Sequence, residues 1–200
     1  MFRYFGPPGT GKTTTLLNHV EELLANGTPP NKIGYFAFTR KAAHEAKDRA
    51  VARFGLNPEK DFIFFRTLHS LAFQLLGISG AQVLKEEHLK TFSKRIGVNL
   101  TESIEAVEDE GFVTYRSNHP IMRAIDLART TERGVMWAYN GSDLDITSYH
   151  FKLIFSEYEK FKQKEGLKDF TDMLIDFSEN EDVVPALDVV FLDEAQDLTP

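Results

Sequence analysis

The stretch GPPGTGKT, residues 6–13, constrains the fold of this chain more than any other part of the sequence. It matches the pattern G-x-x-x-x-G-K-[ST] without a mismatch. The apolar run FRYF (2–5) before it predicts a short strand, and KTTTLLNHVEELLANG (12–27) after it carries apolar residues at helical spacing. Because a strand, a glycine-rich loop and a helix in this order typically open a parallel sheet, we predict an α/β fold.

The same alternation of strands and helices continues along the chain. The predicted strands are residues 33–38, 61–67 and 187–195, and the predicted helices are 40–55, 68–77 and 170–180. The strands are apolar without alternation, which predicts a parallel sheet covered on both faces with right-handed crossovers. The aromatic cluster FIFF (62–65) is predicted to lie in the core rather than to form a stacking platform.

The middle of the chain has a different pattern. Between residues 78 and 167 the strand signal disappears, and helices are predicted over 83–95, 118–132 and 147–165. The acidic stretch TESIEAVEDE (101–110) is predicted to be a solvated helix face. We therefore expect a sheet domain whose first part is 1–77, a mostly helical insertion subdomain over 78–167, and a return to the sheet over 168–200.

Composition excludes several classes of protein. The chain has 200 residues, a net charge of −7 and no cysteine, so disulfides and thiolate metal sites are excluded and bulk attraction to nucleic acid is disfavoured. No apolar run approaches the roughly 18 residues of a membrane span, and the N-terminus lacks the pattern of a signal peptide. We expect an intracellular, cytoplasmic protein with no membrane partner.

The glycine-rich loop predicts a nucleotide-phosphate site. Its backbone N–H groups would surround phosphate oxygens, and the N-terminus of the following helix would point its positive dipole end at the same anion. Lys12 would place its charge on the β- and γ-phosphates, and the Thr13 hydroxyl is a ligand for Mg²⁺. The predicted nucleotide-binding residues are Gly6, Pro7, Pro8, Gly9, Thr10, Gly11, Lys12, Thr13 and Thr14.

The stretch VVFLDE, residues 189–194, supplies the second half of such a site. Asp193 falls at the carboxyl end of a predicted strand, where a parallel sheet places its ligands, and would bind Mg²⁺ directly or through water. Glu194 points elsewhere and is the candidate general base for the attacking water. ATP and Mg²⁺ are the expected cofactors.

Five segments together resemble the UvrD/Rep-like superfamily 1A DNA helicases. They are, in the order of the family, GPPGTGKTTTLL, YFAFTRKAAHEAKDRA, FRTLHSLAFQLL, KDFTDMLIDF and VVFLDEAQD. The resemblance covers most of residues 2–77 and 168–200, and it implies a RecA-like P-loop NTPase domain that begins an ATP-dependent 3′ to 5′ DNA helicase or translocase. It implies Lys12, Glu194 and Gln196 as catalytic residues, with Gln196 and Asp197 coupling the nucleotide state to DNA.

The resemblance also implies single-stranded DNA, or its junction with duplex, as a partner. The expected DNA-binding residues are Phe38, Thr39, Arg40, Thr67, His69 and Ser70. Five Lys/Arg against two acids between Phe38 and Arg53 support this, although a solvated helix face behind a core phenylalanine and a packed or capping His69 are the alternatives. Asp169 and Asp172, three residues apart, could suggest a metal pair, but the family uses this segment mainly to re-enter the core after the insertion, so the two are interpreted as structural.

The sequence departs from the family in several places. Arg40 stands where Asn is frequent and His44 where Arg is frequent, and no glutamine motif for adenine precedes Gly6. The second RecA-like domain and its arginines would lie beyond Pro200, so we expect an N-terminal fragment that binds nucleotide weakly and does not unwind DNA alone. A P-loop phosphotransferase or other non-helicase ATPase, and a catalytically silent binding module, remain alternative functions.

Overall fold

The computed structural model describes residues 10–101, 103–131 and 133–193. The described chain forms two compact units, one containing residues 10–71 and 184–193 and the other lying within residues 72–183. Among these residues no helix combines the length and the apolar character that crossing a membrane requires. The predicted strand 2–5 lies outside the described residues.

The described residues form eight α-helices and five strands, and most of the helices fall where the sequence predicts them. The helices are α1 (Lys12–Ala25), α2 (Arg40–Phe54), α3 (Leu68–Leu75), α4 (Glu86–Ile96), α5 (Pro120–Thr130), α6 (Val135–Asn140), α7 (Ser148–Glu165) and α8 (Phe170–Glu179). The strands are β1 (Ile33–Ala37), β2 (Phe65–Thr67), β3 (Ile104–Asp109), β4 (Phe112–Ser117) and β5 (Val189–Asp193).

The first unit is built on a three-stranded parallel sheet in the order β2-β1-β5. Every residue of the central strand β1 is buried, because β1 has a neighbour on each side and apolar side chains on both faces. Its core contains side chains from α1, α2 and the sheet: Leu16, Leu17, Val20, Ile33, Tyr35, Ala46, Ala50, Phe62 and Phe65. The predicted α/β fold with a parallel sheet is confirmed to this extent.

Helix α2 illustrates how local sequence sets an element of this unit. The Thr39 hydroxyl accepts a hydrogen bond from the Ala42 N–H at 3.2 Å, so it caps the first turn. The helix ends at Gly55, which adopts a left-handed conformation with φ of 67° that costs a glycine little. Small residues (Ala43, Ala46 and Ala50) form the buried face of the helix and allow it to pack closely against the core of this unit.

Two predictions about the strands of this unit need correction. Strand β5 is not fully buried, since Val190 is 51% and Leu192 41% exposed in a strand where side chains alternate between the two faces. Strand β2 covers only three residues of the predicted 61–67, because Phe65 N–H turns back to the Phe62 carbonyl at 3.1 Å. Phe62 and Phe65 nevertheless lie in the core with ring centroids 4.8 Å apart, which confirms that interpretation for these two rings.

The second unit contains helices α4 to α8 and an antiparallel hairpin of β3 and β4. Its largest core joins α4, α5 and α7 through residues that include Phe92, Ile125, Phe151, Tyr158 and Phe161. A second cluster contains Ala72, Val83, Phe112 and Met173. That this unit is an insertion subdomain with the boundaries 78–167 remains a prediction.

The hairpin contradicts the prediction that residues 78–167 lack strands and that 101–110 form a helix face. Asp109 pairs with Phe112 across a two-residue turn of Glu110 and Gly111, and Gly111 has φ of 93°. Phe112 and Thr114 of FVTYRS are buried on either side of the exposed Val113, and this short alternation, with β-branched and aromatic residues, is the signal for β4. Acidic residues masked the strand character of β3, whose exposed positions carry Glu105 and Glu108.

Candidate functional site

The carboxyl ends of the three parallel strands meet at one edge of the sheet. Ala37 at the end of β1 pairs with Thr67 of β2 on one side and with Asp193 of β5 on the other. Side chains that follow or end these strands are therefore brought together, although they are distant in sequence. This edge is where parallel α/β sheets bind ligands.

The start of α1 is the part of the predicted phosphate site that the structure describes. Gly11 precedes the helix with φ of 82°, and among the described residues no side chain of the cap position hydrogen-bonds to the first turn and no acidic residue lies in it. A helix N-terminus of this kind favours an anion. Lys12 begins the helix, while Thr10 and Thr14 are exposed. Gly6, Pro7, Pro8 and Gly9 lie outside the described residues, so their predicted role is untested.

Asp193 and Thr13 converge although 180 residues separate them. The Thr13 hydroxyl donates a hydrogen bond to Asp193 Oδ2 at 2.9 Å, and Asp193 is only 5% exposed. A carboxylate and a hydroxyl are hard oxygen donors of the kind that Mg²⁺ accepts, with substrate phosphates and water completing its coordination. The two residues therefore fit the predicted metal site, while the described residues hold no cluster of three or more His, Cys, Asp or Glu suited to a metal ion.

The structure adds Tyr35 to this pair of residues. The Tyr35 hydroxyl donates to Asp193 Oδ2 at 2.6 Å from the buried interior of β1. Burial, and then the hydrogen bond to Asp193, raise the pKa of Tyr35 well above its ordinary value, so the phenol remains a donor. The sequence analysis missed Tyr35 because IGYFAF has the composition of a core strand; the only signal was the polar hydroxyl within it.

The first predicted DNA-binding segment follows β1. Phe38 is 43% exposed, which is unusual for a phenylalanine beside a buried strand. Thr39 caps α2, and Arg40 is an exposed residue in its first turn. Phe38 and Arg40 are thus at the surface beside the edge that holds Asp193, since Ala37 and Asp193 are register partners.

The second predicted DNA-binding segment, at the end of β2, is mostly buried. Thr67 Oγ1 accepts the Ser70 N–H at 3.0 Å, and the Ser70 hydroxyl donates to the Thr67 carbonyl at 3.1 Å. Thr67 and Ser70 are 2% and 1% exposed, and His69 is also buried. Thr67 and Ser70 thus help to fix the start of α3, and the role of all three residues in DNA binding remains a prediction.

The basic residues of α2 are largely engaged in ion pairs. Lys47 pairs with Glu59 at 3.4 Å, Arg49 pairs with Glu45, and Arg53 contacts Glu21. Because these acids offset the charge, the basic island predicted from the sequence is weaker on the surface than the count of Lys and Arg suggests.

Asp169 and Asp172 form a capping box at the start of α8, in agreement with a structural role. The Asp169 side chain accepts the Asp172 N–H at 2.8 Å, and Asp172 accepts the Asp169 N–H at 2.9 Å. Lys162 and Arg129 donate to both carboxylates, with Arg129 to Asp169 at 2.7 Å. The cations of the protein itself thus occupy the position that a metal would take.

Two comparisons with known proteins agree with the resemblance. The family model of the UvrD/REP helicase N-terminal domain matches residues 5–200. A protein of Bacillus subtilis (strain 168), named "Putative ATP-dependent DNA helicase YjcD", is 26% identical over 215 residues. The match covers 96% of this chain and 26% of that protein, so the chain spans about a quarter of the length of this relative.

Proposed function

The chain belongs to the UvrD/REP helicase family, and we propose that it is the ATP-binding part of an ATP-dependent DNA helicase. The observation that carries this proposal is the convergence of Thr13 and Asp193 at 2.9 Å beside the N-terminus of α1. A phosphate-binding helix start and an oxygen-donor pair at one edge of a parallel sheet are what ATP with Mg²⁺ requires.

In this proposal each residue at the edge has a defined task. The N–H groups at the start of α1 and the Lys12 ammonium bind the phosphates, and Thr13 with Asp193 holds Mg²⁺. When bound there, Mg²⁺ would supply positive charge beside the phosphate oxygens. Glu194, which lies outside the described residues, accepts a proton from the attacking water, and Gln196, also outside them, senses the nucleotide.

Single-stranded DNA, or its junction with duplex, is the proposed partner. The exposed ring of Phe38 offers a stacking surface for a base, and Thr39 and Arg40 offer contacts to phosphate. Since β1 carries Phe38 at its end and pairs with β5, which carries Asp193, nucleotide and DNA would act on the same strand pair. Movement in the 3′ to 5′ direction, a C-terminal helicase half and an intracellular, nucleoid-associated location complete the proposal.

The test is whether single-stranded DNA stimulates ATP hydrolysis by the full-length protein that contains this sequence. We expect stimulation by DNA. We expect Phe38→Ala to raise the half-saturating DNA concentration by roughly 5- to 100-fold, because one stacking contact is lost. Tyr149→Ala is the matched control, since Tyr149 is an aromatic side chain that is 71% exposed and lies in the other unit.

Each alternative function gives a different result in that assay. A phosphotransferase or other non-helicase ATPase would hydrolyse ATP without responding to DNA. A silent binding module would bind nucleotide without hydrolysing it in the full-length protein. For residues 1–200 alone we expect weak nucleotide binding and no unwinding, and unwinding by this piece would contradict the proposal.

A further inference from the structure

The buried Tyr35 hydroxyl contacts the same carboxylate oxygen as Thr13. Tyr35 Oη lies 2.6 Å and Thr13 Oγ1 lies 2.9 Å from Asp193 Oδ2. One oxygen of Asp193 therefore accepts two hydroxyl donors that come from different elements, α1 and β1. Two donors on one oxygen restrict rotation of the carboxylate about its last bond and so determine where its other oxygen points.

The ring of Tyr35 is itself held in place by its neighbours across the sheet. Tyr35 is the register partner of Phe65 on β2 and of Phe191 on β5. Its ring stacks on Phe65 with centroids 5.2 Å apart, and the Phe191 ring lies 6.3 Å away on the other side. Because Asp193 follows Phe191 by two residues on the same face of β5, the phenol reaches it along the diagonal between strands.

We propose that Tyr35 is a positioning residue for the metal site, and that its hydroxyl holds Asp193 in the orientation that binds Mg²⁺ together with Thr13. This inference rests on the proposed function, since it assigns Asp193 to the metal. It goes beyond that function because a hydroxyl within the central strand, outside the phosphate loop and the DEAQD segment, sets the affinity for the ion. A hydrogen bond that served folding alone would affect stability and leave metal dependence unchanged.

The experiment is a titration of Mg²⁺ in the presence of a fluorescent ATP analogue, with nucleotide binding followed by anisotropy. Tyr35→Phe removes only the hydroxyl. We expect the half-saturating Mg²⁺ concentration to rise by about 10- to 100-fold, as for loss of one hydrogen bond to a charged group. The affinity for nucleotide without Mg²⁺ should stay as in the wild type, because phosphate binding at α1 does not involve Tyr35.

Tyr158→Phe is the matched control. Tyr158 is also buried, and its hydroxyl donates to Asp169 at 2.9 Å in the other unit. We expect this variant to lose thermal stability without any change in the Mg²⁺ titration. Two results would overturn the inference: the same Mg²⁺ dependence in the wild type and in Tyr35→Phe, or a loss of nucleotide affinity in Tyr35→Phe that is equal with and without Mg²⁺.

A second pair of variants keeps the test independent of folding. Replacing Tyr35 with 4-aminophenylalanine retains a donor, whereas 4-methylphenylalanine has the same size without one. The amine should restore the wild-type Mg²⁺ dependence and the methyl group should not; identical titrations for the two would refute the role. If the wild-type protein binds nucleotide without any response to Mg²⁺, the proposed function fails instead.

Discussion

Two buried aspartates, one in each unit, accept a hydrogen bond from a buried tyrosine, yet their surroundings differ. Asp193 accepts from the neutral hydroxyls of Tyr35 and Thr13. Asp169 accepts from Tyr158 and also from the charged groups of Arg129 and Lys162. Hydroxyl donors orient a carboxylate, which suits the proposed role of Asp193 in binding Mg²⁺. Cations of the protein instead commit the carboxylate to structure.

Electrostatics in the second unit support this distinction. Burial alone would raise the pKa of Asp169, but the charges of Lys162 and Arg129 lower it, and the net pKa lies below its usual range. Arg129 and Lys162 have side chains only 6% and 3% exposed. Such a network joins α5, α7 and α8, and removing one partner leaves a buried charge without its counter-charge.

The largest expected effect is on the stability of this ionic network. Lys162→Met should lower the free energy of unfolding by about 3–5 kcal/mol, because Asp169 and Asp172 then share only Arg129. Chemical denaturation measures this change. Lys160→Met is the control, since Lys160 is 63% exposed and pairs with Glu157 on the same helix; a loss there as large as in Lys162→Met would contradict the distinction.

The opposite pattern is expected for Asp193. Asp193→Asn should reduce Mg²⁺-dependent ATP hydrolysis by the full-length protein roughly 100-fold or more, since a neutral amide stabilises the ion poorly. The free energy of unfolding should change by less than about 1 kcal/mol, because the amide oxygen still accepts from the two hydroxyls. Asp188→Asn is the control, since Asp188 is exposed and directly precedes the same strand. A large loss of unfolding free energy in Asp193→Asn with ATP hydrolysis unchanged would contradict the distinction between the two aspartates.

A smaller, pH-dependent effect is expected at Asp126 on α5. Burial, and then the charge of Asp169, raise the pKa of Asp126 to about 6. In the unfolded chain an aspartate has a pKa of about 3.9, so the folded protein binds the Asp126 proton more tightly than the unfolded chain does. The free energy of unfolding therefore falls as pH rises from about 4 to about 6. The penalty is fully present above about pH 6.

Asp126→Asn removes that penalty. The variant should be more stable than the wild type by roughly 1–3 kcal/mol at about pH 7.5, and the difference should vanish near pH 4. Denaturation at the two pH values measures it, with the exposed Asp143→Asn as the control for loss of a surface charge. A gain that is the same at both pH values would show that protonation of Asp126 is not its cause.

Elements with strong local signals could be predicted from the sequence. Helices α2, α7 and α8 lie within one or two residues of the predicted ranges, because periodicity and capping are properties of neighbouring residues. The positions of β1 and β5 follow from their apolar runs. Thr13 and Asp193 could be paired in advance because two separate motifs assign them to one site, although their distance in sequence gives no such indication.

Features that depend on pairing between distant segments could not be predicted. Tyr35 acquires its partner only through the register of β1 with β5, and composition alone assigns it to the core. In the ionic network, Arg129 lies 40 positions from Asp169 and 43 from Asp172. The hairpin pairs neighbouring segments and escapes prediction for a different reason, since charged residues in β3 conceal its strand character.

The register of β5 beside β1 also has a consequence for synthesis of the chain on the ribosome. Strands β1 and β2 are made early, whereas Val189–Asp193 follows only after the whole second unit. At a translation rate of about 5–20 residues per second, the edge of β1 that pairs with β5 stays unpaired for roughly 8–30 s. We therefore expect nascent chains that end before Val189 to aggregate through that edge, and chains that include Asp193 to be protected, as measured by their solubility after translation in vitro.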